Sequence, residues 1–207
     1  MLRAITELEE KTASLLVVAG ESAAWEYSAS LVCPEGPLLE FSTEMLDYQA
    51  NPSSTLRYLI DNLPENVLHH NHLSGESLSS GDWRGASVYF NEIFAHCNDG
   101  TIYYGKVLNK EMDLPSLFRK IEAKAQNCLF KYTQRPDIDD FFRKEIINRA
   151  FKIKGYVEYE YSWGGKNTPH QKITALNLSK INSIGQLGAT YNGLIDNAAT
   201  DLSKMQW

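Results

Sequence analysis

Three of the chain's five histidines fall within four consecutive positions: His69, His70 and His72. They end the run Asn66-Val67-Leu68-His69-His70-Asn71-His72, which reads as a strand over residues 66–72. Small polar residues fill positions 73–81, and a helical pattern starts at Asp82. Side chains two apart on a strand share a face, roughly 6.5–7 Å apart. His70 and His72 therefore point one way, and His69 and Asn71 the other. Two imidazoles so placed can converge on one metal at ~2.0–2.1 Å from each nitrogen. The loop returns Asp82 as a third ligand. Two histidines and one carboxylate leave a coordination position for water, the pattern of a catalytic zinc. The fold must then place a strand, a tight loop and a helix around one point.

Such a zinc lowers the pKa of its water towards ~7. Peptide hydrolysis at that centre needs a carboxylate to accept the water's proton and pass it to the leaving amine. It also needs a hydrogen-bond donor for the tetrahedral oxyanion, a role open to Ser79 or Ser80.

Around this segment the pattern alternates between strands and helices. Residues 14–20 (SLLVVAG) are β-branched and end in glycine, which predicts a buried strand. Residues 25–33 and 38–42 follow as strands around a Pro-Glu-Gly-Pro turn, so an antiparallel meander is expected at the start. Leu56, Leu59, Ile60 and Leu63 space as a helix over 52–63, closed by Pro64. Residues 82–96 read as a helix with Val88, Phe90, Ile93 and Phe94 in the core, and 101–108 as a strand. Two amphipathic helices are expected at 114–132 and 137–154, a strand at 155–163, and mostly helix over 176–204. The division this suggests is an α/β domain over 1–110 and a mostly helical C-terminal extension over 111–207.

The motif H-x-H followed by S-x-x-D resembles that of the JAB/MPN-type (JAMM) zinc metalloproteases. His70-Asn71-His72 with Ser74-Gly75 is most similar to the RadC-like and prokaryotic JAB branch, whose pattern is HNHPSG-x-x-x-x-S-x-x-D. Leu73 stands where that branch has proline, and the loop is one residue shorter. The resemblance covers roughly residues 12–110. It implies a mixed sheet flanked by helices, an α/β (α+β) fold of the JAB/MPN or cytidine-deaminase-like kind. It implies zinc on His70, His72 and Asp82, with Ser79 as the serine. The general base of that family is an upstream glutamate without a strong local motif. Glu40 stands first here, Glu26 second and Glu44 third. Substrates in the family are peptide or isopeptide bonds, including links to ubiquitin-like proteins. Rival readings are a non-catalytic scaffold of the same fold, or a RadC-like protein linked to DNA metabolism.

Bulk properties narrow the field. With 20 Lys+Arg against 26 Asp+Glu, the net charge of −6 argues against dedicated nucleic-acid binding. No stretch approaches a membrane span of ~20 apolar residues. Three scattered cysteines, Cys33, Cys97 and Cys128, fit free thiols in the cytoplasm. His69 is expected to be buried on the face opposite the metal. His96 is expected at a helix end, Glu76 in solvent or along a substrate groove, and Trp83 in packing that fixes the helix start. The basic residues Arg119, Lys120, Lys124, Arg143, Lys144, Arg149, Lys152 and Lys154 read as solvated helix faces. Tyr159 and Tyr161 read as core or sheet edge.

Overall fold

A computed structural model describes residues 2–33, 35–60, 65–166 and 183–207. The chain runs α1 (Glu7–Ala23), β1 (Ser28–Val32), β2 (Leu38–Ser42), α2 (Ser54–Leu59), β3 (Asn66–His72), α3 (Ser80–Val88), β4 (Glu92–Cys97), β5 (Ile102–Val107), α4 (Leu114–Thr133), α5 (Pro136–Ile153), β6 (Val157–Ser162) and α6 (Ile184–Ser203). Among these residues the strands form one mixed α/β sheet in the order β2-β1-β3-β4-β5-β6. The β3–β4 pairing is parallel, and the others are antiparallel. Pro64 and positions 167–182 lie outside the described residues, and with them the expected close of α2 and the start of the last helical stretch.

Residues 14–20 belong to a helix, which corrects the strand expected from their β-branched content. Thr6 caps α1, its hydroxyl accepting from the Glu9 amide while the Glu9 carboxylate accepts from the Thr6 amide. This reciprocal box satisfies two of the amides that a helix start leaves unpaired. The buried positions Glu9, Thr12, Ala13, Leu16 and Gly20 then recur at helical spacing, while Leu15 and Val18 face outward. The expected meander is therefore only the β1–β2 hairpin.

The helix expected over 82–96 is also corrected. It ends at Val88, and β4 begins at Glu92. All six β4 residues are buried, so the strand shows no alternation by which to recognise it. His96 thus sits within a strand, and Val88 is exposed.

Helix α1 covers one face of the sheet, packing on β1, β3 and β4, and α3 packs on β4 and β5 from the opposite face. On that second face, α4, α5 and α6 pack against one another and against α3 or β6. One core cluster joins Leu78, Trp83 and Phe90 to Phe118, Phe142, Ile146, Phe151 and Ile195. Residues beyond 110 thus supply one edge strand of the sheet, β6, and most of that core. Asp99, fully buried in the β4–β5 turn, accepts from Ser183 Oγ at 2.8 Å and the Gly185 amide at 2.6 Å, fixing the start of α6.

Candidate metal centre

Strand β3 delivers two imidazoles to the α3 side. His70 Nε2 and His72 Nε2 lie 2.8 Å apart. Asp82 Oδ1 is 3.0 Å from His70 Nε2, and Asp82 Oδ2 is 3.7 Å from His72 Nε2. Tetrahedral ligands at the usual zinc distances stand ~3.3 Å from one another, so the three groups fit a single ion. Among the described residues, His70, His72 and Asp82 are the group of His, Cys, Asp or Glu that can hold a metal.

The loop between His72 and Asp82 is shaped for this convergence. Gly75 adopts φ 70°, which a glycine tolerates without strain, and its amide returns to the His72 carbonyl at 3.3 Å. The Glu76 carbonyl then lies 2.7 Å from His72 Nδ1. That contact puts the proton on Nδ1 and turns the Nε2 lone pair to the site. Asp82 is fixed by the start of α3: its Oδ2 accepts from the Ser79 amide at 2.6 Å, and Ser79 Oγ accepts from the Gly81 and Asp82 amides. Burial would raise the Asp82 pKa, but His70, His72 and the Ser79 amide hold it well below the usual carboxylate range.

The three groups line a cavity of about 460 Å³ together with Glu26, Ser79, Glu76 and Lys144. Glu26 is 6% exposed. Burial pushes its carboxyl up to about 7, against the opposing pull of His72 and the Leu73 amide. A carboxyl that changes protonation near neutrality is suited to acid–base work. Glu40 lies elsewhere: on β2, it accepts from the Ser53 amide at 2.8 Å, where α2 begins. Glu44 is exposed and binds Gln49 and Asn51. Of the three candidate bases, the structure brings Glu26 to the cavity. Ser79 also lines it, whereas Ser80 does not. The lone pairs of Ser79 face two backbone amides, which leaves its hydroxyl hydrogen to donate.

His69 is buried on the opposite face, as its strand position requires. Its Nδ1 is 2.9 Å from His96 Nε2, and its Nε2 is 3.2 Å from Glu9 Oε1. Glu76 is half-buried: it lines the cavity and pairs with Lys144 Nζ at 2.7 Å. Arg149, expected on a solvated face, is 5% exposed and pairs with Glu145 and Asp196. Reading the sequence alone overlooks Asn148, whose carboxamide holds Trp83, Ser77 and Leu78. A signal existed: Asn148 and Arg149 interrupt the apolar run Ile146-Ile147 to Ala150-Phe151, and polar groups so placed are buried with partners.

No protein-family model matches the chain, and no curated protein or solved structure does.

Proposed function

We propose that the chain is a zinc-dependent hydrolase of peptide or isopeptide bonds with a JAB/MPN-like fold. The observation that carries this reading is the meeting of His70 Nε2, His72 Nε2 and Asp82 at 2.8–3.7 Å in a cavity that Glu26 also lines. The order strand, short loop and capped helix agrees with the resemblance of H-x-H and S-x-x-D to that family.

His70, His72 and Asp82 would hold the ion, which when bound supplies Lewis-acid chemistry and makes hydroxide available near neutral pH. Glu26 acts as the general base and carries the proton to the leaving nitrogen. Its burial sets the pKa that lets it serve both steps. Ser79 donates its hydroxyl hydrogen to the developing oxyanion, held in place by the two amides on its oxygen. The substrate class is a protein or peptide, with the tail of a ubiquitin-like modifier as the first candidate. No helix among the described residues is long and apolar enough to cross a membrane. The free thiols of Cys33, Cys97 and Cys128 favour action in the cytoplasm.

The test is metal analysis of the full chain after zinc-replete expression, beside His70→Ala and Asp82→Asn. The expected result is about one zinc per chain, lost in both variants. A fluorogenic isopeptide joining a ubiquitin-like tail to lysine should be cleaved by the wild type alone. Substoichiometric zinc that is unchanged in His70→Ala would overturn the reading.

A further inference from the structure

We propose that Asn148 is the positioning residue of this metal site, its one carboxamide fixing both the loop that orients His72 and the helix that carries Asp82. The inference rests on the metal-binding reading above. It assigns a role in the site to α5, which the family resemblance does not reach.

Asn148 is fully buried on α5. Its Oδ1 accepts from Trp83 Nε1 at 2.7 Å. Its Nδ2 donates to Ser77 Oγ at 2.8 Å and to the Leu78 carbonyl at 2.9 Å. An amide offers two donors and an acceptor oxygen, and here every one of these groups is engaged. Trp83 follows Asp82 directly on α3. Ser77 and Leu78 follow Glu76, whose carbonyl orients His72. A shift of this single amide therefore displaces two ligands at once.

The amide has only one workable orientation. Indole Nε1 is a donor, so the carboxamide oxygen must face Trp83. The nitrogen then faces Ser77, whose hydroxyl lies 2.7 Å from Tyr159 Oη. Tyr159 in turn donates to Glu145, which also pairs with Arg149 at 2.7 Å. Each proton in the series Asn148, Ser77, Tyr159, Glu145 points the same way, so the bonds polarise one another and resist reversal. A second tie lies alongside: Lys144, one turn earlier on α5, holds the Glu76 carboxylate.

The test measures zinc affinity by chelator competition, and the visible absorption spectrum of the cobalt(II)-substituted full chain. Asn148→Asp keeps the volume and the acceptor for Trp83, but turns a carboxylate oxygen towards the Leu78 carbonyl. It should weaken zinc binding by about 10–100-fold and shift the cobalt spectrum. Ile195→Ala, a cavity in the same core away from the loop, should lower the melting temperature and leave both readouts unchanged. If Asn148→Asp does not fold, Ser77→Ala decides: it cuts one arm of the loop and should weaken zinc about 3–10-fold.

A folded Asn148→Asp, or failing that Ser77→Ala, with wild-type zinc affinity and cobalt spectrum overturns the inference. Equal weakening by Ile195→Ala does so too, because the effect would then follow stability alone. Wild-type protein that binds neither metal overturns the metal reading itself. Tight wild-type binding with an indifferent Asn148 overturns only the positioning role.

Discussion

The carboxamide of Asn71 grips the backbone on both sides of Glu26. Its Oδ1 accepts from the Tyr27 amide at 2.6 Å, and its Nδ2 donates to the Trp25 carbonyl at 3.3 Å. Asn71 lies between His70 and His72 on β3 but points to the other face. One strand thus presents two candidate ligands on one side and fixes the candidate base from the other. The Glu26 amide bonds the Leu46 carbonyl, and Thr43 Oγ1 donates to the Glu26 carbonyl, both at 2.7 Å. Replacing Asn71 by alanine strands buried polar groups, so a stability loss of about 1–3 kcal/mol is expected. Turnover should fall while zinc content stays at the wild-type level. Unchanged kcat in folded Asn71→Ala would show that the grip does not position the base.

The candidate bases separate in one comparison. Glu26→Gln removes the only glutamate of the three in the cavity, and turnover should drop by about 100-fold or more with zinc retained. Glu40→Gln alters a contact at the start of α2. It should cost less than about 1 kcal/mol of stability and leave turnover intact. The reverse pattern, with Glu40 essential and Glu26 dispensable, would mean that the catalytically competent arrangement differs from this one.

Glycine to alanine within a helix usually stabilises by about 1 kcal/mol. Gly20 on α1 should show the opposite sign. A Cβ there would stand 2.1 Å from Asn71 Nδ2, closer than any real contact, and 3.2 Å from the Trp25 carbonyl. Gly20→Ala must push Asn71 off the Glu26 backbone or lift α1 from β3. A fall in melting temperature together with reduced turnover is expected; a rise would remove Gly20 from this account.

The meeting of His70, His72 and Asp82 is legible because its geometry is local. Two positions apart on a strand means one face, and the capped start of α3 recovers Asp82 within the same short segment. Strand β3 and the hairpin strand β2 follow the expected boundaries for the same reason. Helix α1 resembles a strand in sequence because Leu15 and Val18 are exposed, so its apolar content exceeds its buried stripe. The better signal was Thr6 with Glu9, a capping pair eight residues before the run that suggested a strand. Strand β4 was hidden by burial on both faces. The choice between Glu26 and Glu40 rests on long-range contacts: Asn71, far along the chain, holds the backbone of Trp25 and Tyr27 on either side of Glu26. Asn148 was illegible as a site residue because its partners, Ser77 and Trp83, come from a segment 65–71 residues earlier.

On the opposite face of β3, Glu9 provides a test with pH as the variable. Its carboxylate takes Arg3 at 2.6 Å, His69 Nε2 at 3.2 Å and the Thr6 amide at 2.7 Å. Arg3 also pairs with Glu92, which accepts from Tyr104, and His96 contacts His69. Burial raises the Glu9 pKa, but His69, Arg3 and the Thr6 amide outweigh it and hold the group well below its ordinary value of 4.5. A carboxyl depressed in the folded state stabilises above the unfolded value and loses that contribution as pH falls, because the unfolded chain takes up the proton first. Glu9→Gln should therefore cost about 1–3 kcal/mol at neutral pH. The gap from wild type should shrink steadily below about pH 4.5. Burial holds His69 and His96 below their ordinary value, so both favour unfolding as the solution acidifies. Glu9 opposes both of those shifts, so the histidines lose its support in Glu9→Gln, and the difference between the two curves reports the Glu9 charge together with its hold on this pair. Urea unfolding from pH 3 to pH 8 measures it, and a gap that does not change with pH would show that the Glu9 carboxylate contributes no charge-dependent stability.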